Sequence, residues 1–125
     1  MARVLIVEDN EVNRDMLGRR LKRRGFDVAF AVDAASAVAM AHSECPDLIL
    51  MDIGLGTENG LDVTQRIRAQ AFGQDVAIIA LTAHAMVSDR DNCIAAGCND
   101  FETKPIEFER LLMKIREHLG PADMN

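Results

Sequence analysis

Four short runs in this sequence end in residues able to handle metals, protons or phosphate. "VLIV" (Val4 to Val7) leads into Glu8-Asp9-Asn10, and "LILM" (Leu48 to Met51) leads into Asp52. "VAIIAL" (Val76 to Leu81) leads into Thr82-Ala83, and "DFET" (Asp100 to Thr103) leads into Lys104-Pro105. Brought together, these ends supply three carboxylates, one hydroxyl and one ammonium. Clustered carboxylates repel, so some stay protonated unless a cation joins them. Oxygen donors alone, with no His or Cys at the run ends, select a hard ion such as Mg2+ over zinc. The lysine can pair with one acid or neutralise an incoming anion. The Thr82 hydroxyl and the Ala83 N–H are donors for an oxyanion. The set describes a site for a metal and a phosphoryl group, with a carboxylate as nucleophile.

Each component has a plainer explanation. A lone Asp after a strand is ordinarily a turn or helix cap. Thr82 by itself reads as a cap, and Lys104 by itself as a solvated charge. One such group at each of four strand ends is hard to obtain from capping alone, provided that the ends meet.

The elements around them say that they do. With Asp27 to Ala31, the runs make five strand candidates, and the first, third and fourth are continuously apolar. Strands covered on both faces of a parallel sheet have that pattern. Helical period fills the gaps. Val12, Met16, Leu17 and Leu21 trace a first helix that Gly25 can end. Asp33 caps a second helix through about His42, with Pro46 beyond it. Asn59-Gly60 opens a third, with Leu61, Thr64 or Gln65, Ile67 and Arg68 on one face. A fourth starts near Ser88 or Asp89 and stops at Gly97. "EFERLLMKIREHL" is the fifth, with Phe108, Leu111, Leu112 and Ile115 inward. Alternating strands and helices call for right-handed crossovers and an α/β fold: a doubly wound five-stranded parallel sheet with five helices. In such a sheet all strands end on one edge, where ligands bind, and the first and third strands bring Asp9 and Asp52 together.

Bulk properties agree. The chain has 125 residues, which fits one domain. Residues 1–120 form it, with 121–125 a short tail and no effector domain expected. A formal net charge of −6 argues against DNA or an anionic membrane as default partner. No apolar run approaches the ~18 residues of a membrane span. Cys45, Cys93 and Cys98 form no metal-binding pattern and read as reduced, hydrophobic thiols of a cytoplasmic protein. The seven Met residues read as core filler.

"VLIVEDNEVNR", "PDLILMDIGLGTENGLDV", "IIALTAHAM" and "DFETKPIE" resemble, in order and spacing, the signature segments of response-regulator receiver domains of two-component signalling. The resemblance covers essentially the whole chain and is greatest to the stand-alone, DivK-like type and to receivers of hybrid kinases. It implies a flavodoxin-like, CheY-like fold. It implies Asp52 as phosphoacceptor, with Mg2+ held by Asp9, Asp52, the Gly54 carbonyl and, through water, Glu8. Thr82, Ala83 and Lys104 would bind the phosphoryl group. A cis bond before Pro105 would aim the lysine, and Thr82 with Phe101 would form the switch. The implied partners are a histidine kinase or histidine phosphotransferase and a downstream protein target. The protein would be a monomer or weak dimer that catalyses only its own phosphorylation and dephosphorylation.

The sequence departs from the family pattern in three places. Gly56 stands where the family usually has Pro, so "GLGTENG" is expected to be a looser loop. Gly54 offers no side chain toward an attacking water, and His84 holds a position where family members use varied residues that tune dephosphorylation, so it is either a plain solvent-exposed imidazole or an influence on acyl-phosphate lifetime. The five basic residues between Arg19 and Arg24 form a solvated helical face or a docking surface in which Arg19, Arg20 or Arg23 steers an acidic partner. His42 and His118 carry no assigned function. Two other readings compete. A phosphatase of the haloacid-dehalogenase type needs a second Asp where Gly54 stands. A degenerate receiver would not retain all five site groups.

Overall fold

The computed structural model describes residues 2–83 and 86–120. Five parallel strands form one sheet: β1 (Arg3–Val7), β2 (Asp27–Ala31), β3 (Leu48–Asp52), β6 (Ala77–Thr82) and β7 (Asp100–Thr103), in the order β2-β1-β3-β6-β7. A small antiparallel pair, β4 (Gly54–Leu55) and β5 (Glu58–Asn59), follows β3. The helices are α1 (Glu11–Arg23), α2 (Ala34–Ser43), α3 (Gly60–Arg68), α4 (Val87–Ala96) and α5 (Phe108–Leu119), with a 3-10 turn at Ala71–Gly73.

The central strands are apolar throughout because both faces are covered. Val4, Ile6, Leu48, Leu50, Ile79 and Leu81 pack against Leu17 and Leu21 of α1 and Phe108, Leu111, Leu112 and Ile115 of α5. Leu5, Val7, Ile49, Met51, Ile78 and Ala80 pack on the other face against α2, α3 and Cys93 of α4. Helices start where capping residues occur. The Asn10 side chain accepts the Asn13 N–H of α1, Asp33 and Ser36 form a reciprocal capping box on α2, and Asn59 accepts the Leu61 N–H of α3. Gly97 ends α4 at φ +113, a conformation open to glycine.

Several expectations about faces need correction. Val12 and Met16 continue the period of α1 but are 74% and 46% exposed, and only Leu17 and Leu21 of that set are buried. On α3, Val63 is buried and Gln65 exposed. Arg68 is held in place by its guanidinium, which donates to the carbonyls of Gly97, Gly73 and Val76 and to Asn99 Oδ1. Of the methionines, Met51 is in the core, whereas Met16, Met86 and Met113 are exposed. Cys45 is also exposed. The expected loose loop after β3 is the β4–β5 hairpin, with Gly54 opposite Asn59 and Leu55 opposite Glu58. Gly56 at its tip has φ +63, which a proline could not adopt.

Candidate functional site

The strand register sets the height of the reactive groups. Val7 is level with Met51, so Glu8, just past β1, and Asp52, the last residue of β3, follow at the same height. Asp52 is level with Leu81, one residue before Thr82, and Thr82 is level with Thr103, one before Lys104. The Lys104 N–H donates to the Thr82 carbonyl at 2.8 Å, which ties the last two rim positions together. The Lys104–Pro105 peptide bond is cis.

Asp52 is 2% exposed, yet its Oδ1 accepts two hydrogen bonds, from Lys104 Nζ at 2.8 Å and from the Gly54 N–H at 3.1 Å. Carboxylate oxygens of Glu8, Asp9 and Asp52 lie within 4.8 Å of one another. Burial pushes the Glu8 carboxyl up to about 8, helped by its hydrogen bond with Asp52 and that residue's charge and opposed by Lys104 and Asn13. Glu8 Oε2 is buried and has no hydrogen-bond partner among the described residues. An oxygen-only donor set with an unsatisfied buried carboxylate oxygen fits a hard divalent cation such as Mg2+.

Thr82 is buried at the end of β6, and Ala83 follows on the exposed rim. Phe101 is half-buried, packed on the α2–α4 side of the core between Arg90, 5.8 Å from its ring centre, and Lys114, 5.2 Å away. His84 lies outside the described residues. Sequence reasoning did not single out Arg14, whose guanidinium donates to the Glu8 carbonyl at 3.1 Å, or Glu58, whose carboxylate accepts the Ala34 N–H at 2.9 Å. The Glu58 contact spans 24 residues and joins elements that only the fold brings together, whereas Arg14 reaches back from α1 to a main-chain carbonyl just past β1, which residue types do not mark.

The strand order and the pooling of acidic and basic groups at one sheet edge define a flavodoxin-like α/β domain of the kind that binds ligands beyond its strand ends. The chain belongs to the response regulator receiver domain family, whose model matches residues 4–116. It is 34% identical over 119 residues to the polar-differentiation response regulator DivK of Brucella ovis, covering 95% of this chain and 97% of that protein. It is 33% identical to the DNA-binding dual master transcriptional regulator RpaA of a Synechocystis species, of whose length it spans only 51%. Among solved structures, the receiver domain of the sensor histidine kinase PA1611 from Pseudomonas aeruginosa superposes with a TM-score of 0.87 at 39% identity, covering 96% of this chain and 98% of that one. That structure has a magnesium ion coordinated in its active-site cleft. No helix among the described residues is long and apolar enough to cross a membrane.

Proposed function

We propose that this receiver domain takes a phosphoryl group from a phosphohistidine onto Asp52 and passes the signal on through protein–protein contacts. The observation that carries the reading is the Lys104–Asp52 contact of 2.8 Å beside the Glu8, Asp9 and Asp52 cluster. An Asp52 carboxylate oxygen attacks phosphorus. The P–N bond breaks, its electron pair stays on the imidazole nitrogen, and an acyl phosphate remains. Mg2+, when bound, neutralises the phosphoryl oxygens. Asp9, Asp52 and the Gly54 carbonyl would hold it, with Glu8 acting through water. Lys104 leaves its ion pair with the acceptor to bind a transferred oxygen, and the Thr82 hydroxyl and Ala83 N–H bind the others. Thr82, drawn toward phosphate, gives Phe101 room to turn inward, which links the site to the face of α4, β7 and α5.

A histidine kinase or phosphotransferase is the proposed donor. The first helix offers it Val12 and Met16 beside the rim, flanked by Arg19, Arg20 and Arg23. A groove of about 500 Å3 between α1 and α5 continues that surface; it is lined by Arg20, Arg23, Arg24, Ile106 and Phe108 with the acids Glu107 and Glu109, of which Glu109 pairs with Arg24 and leaves Arg20 and Arg23 as its cations. An acidic donor would be steered there, so charge reversal of Arg19 and Arg23 slows phosphotransfer at low salt and has little effect at high salt. The domain works as a signalling phosphoacceptor in the cytoplasm, as a monomer or weak dimer, with residues 1–120 as the folded unit.

Incubation with acetyl phosphate and Mg2+, followed by intact-mass measurement, tests the reading. A phosphoryl adduct on the wild-type chain that Asp52→Asn lacks is expected. Turnover without an adduct would point to a phosphatase, and no reaction with any phosphodonor would point to a degenerate receiver.

A further inference from the structure

The β4–β5 hairpin lies on the proposed metal site from two directions. Its first residue, Gly54, donates its N–H to Asp52 Oδ1 at 3.1 Å. At its tip, a β-carbon placed on Gly56 would stand 3.3 Å from Asp9 Oδ2, so a side chain there would press on the second carboxylate, and the bare glycine leaves it room. The base of the hairpin is fixed by the Gly60 N–H on the Ile53 carbonyl at 2.9 Å and by Asn59 capping α3. A two-residue pairing is too short to hold its own position in water, and Gly56 adds a flexible turn at the end that meets Asp9.

A further contact ties the hairpin to a second helix. Glu58 Oε1 accepts the N–H of Ala34 at 2.9 Å, 24 residues away, at the first position of α2. That N–H is one of the donors a helix start leaves without an internal partner, and Asp33 is already engaged with Ser36. A carboxylate is also favoured there by the helix dipole. Glu58 lies opposite the buried Leu55, so the tether and the core contact hold the two arms of the hairpin together.

We infer that Glu58 is a positioning residue for the phosphorylation site: by capping Ala34 it fixes the hairpin so that the Gly54 N–H holds Asp52 and the bare Gly56 stays beside Asp9 without crowding it, keeping both carboxylates in metal-binding geometry. This rests on the proposed reading of the site. The hydrogen bond needs an acceptor oxygen, not a charge, so Glu58→Gln keeps the tether and Glu58→Ala removes it. Ala34→Pro removes the donor from the other side. Proline is tolerated at the first helical position, and Asp33 before it is already extended at φ −150 and ψ 178.

The test is calorimetric titration with MgCl2 on the full chain, with amide hydrogen exchange at Gly54 followed by NMR. Glu58→Ala and Ala34→Pro should each weaken Mg2+ binding by roughly tenfold, as loss of a supporting partner does at metal sites. The double variant should be no weaker than either single one, Gly54 exchange should speed up, and Glu58→Gln should behave as wild type. Mg2+ binding and Gly54 exchange in Glu58→Ala equal to those of wild type would overturn the inference alone. A wild-type chain that binds no Mg2+ would overturn the site reading and the inference with it.

Discussion

Lys104 Nζ lies 2.8 Å from Asp52 Oδ1, although 52 residues separate the two in sequence. The pair is asymmetric: the Asp52 side chain is 3% exposed and that of Lys104 is 31% exposed. The ammonium can therefore swing toward solvent and, in the proposed function, toward an arriving phosphate, while the carboxylate stays fixed between the Gly54 N–H and Glu8. Lys104→Met should leave Mg2+ binding nearly intact and slow phosphorylation by roughly a hundredfold, as loss of one preorganised charge-stabilising group does. Phosphorylation kinetics with acetyl phosphate, read beside the Mg2+ titration, separate the two effects. A parallel loss of both would mean that Lys104 serves the metal site instead.

Gly60 sets the position of the Asp52 main chain. A β-carbon there would collide with the Asp52 carbonyl oxygen and stand 2.8 Å from Ile53 Cα, both backbone atoms that cannot rotate away. Gly60→Ala is expected to destabilise the domain by about 1–3 kcal/mol, the range of overpacking. It should also slow phosphorylation of the protein that remains folded. Urea unfolding gives the first number, and an unchanged midpoint would contradict the close approach.

Glu102 on β7 is 3% exposed, with Arg110 Nε 2.6 Å from Oε1 and Lys114 Nζ 3.1 Å from Oε2. Both cations come from α5, so this buried acid fastens that helix to the sheet edge. Removing both, as Arg110→Ala with Lys114→Ala, leaves an unpaired buried charge and should destabilise by about 3–5 kcal/mol. Adding Glu102→Met to that pair should recover most of the loss. Thermal unfolding of the double and triple variants decides it.

Asp100, at the start of β7, faces Lys114 and His118 of α5, with His118 Nε2 3.0 Å from Oδ2. Burial raises its carboxyl, but hydrogen bonds from His118 and the Phe101 N–H, with the charge of Lys114, outweigh it and hold it below the ordinary value. Folding thus favours the ionised form. The stability it contributes is present above the unfolded carboxylate pKa and is lost as pH falls through the depressed folded value. In an NMR titration, His118→Ala should move the Asp100 carboxyl upward. A titration curve identical to wild type would remove His118 from the account.

The thiols should sort by burial. The Cys98 thiol is pushed up to about 11, mainly by burial, and burial with the nearby Asp89 raises that of Cys93. Cys45 is exposed. A colorimetric thiol assay of the native protein at pH 8 should therefore count one fast group and release the other two only in denaturant. A second fast thiol would show that the α4 end opens readily.

Much of this was written in local pattern. Asp27–Ala31 and Asp100–Thr103 are strands over the residues that the sequence marks. Asp33 and Asn59 cap the helices they precede, and the inward face of α5 is the one its period traces. For the caps local pattern suffices, because their hydrogen bonds close within a few residues, whereas the two strands bond to β1 and β6, far away in sequence. Where a pattern failed, a neighbour had decided. Val12 and Met16 keep helical period on a face that no strand covers, and Arg68 is held by carbonyls of three other segments.

The reactive groups were legible as types at strand ends, since a parallel sheet must send every such end to one edge. Whether Glu8 and Asp52 stand at equal height depends on register, which the run of Val7 and Met51 alone does not specify. The pairing of Lys104 with Asp52 and the tether from Glu58 to Ala34 depend on it in turn. A residue's chemistry is local, and its sequence neighbours set the element it ends. Its partners and burial, which raise Glu8 and fix Asp52, arise only when the chain has packed both faces of the sheet.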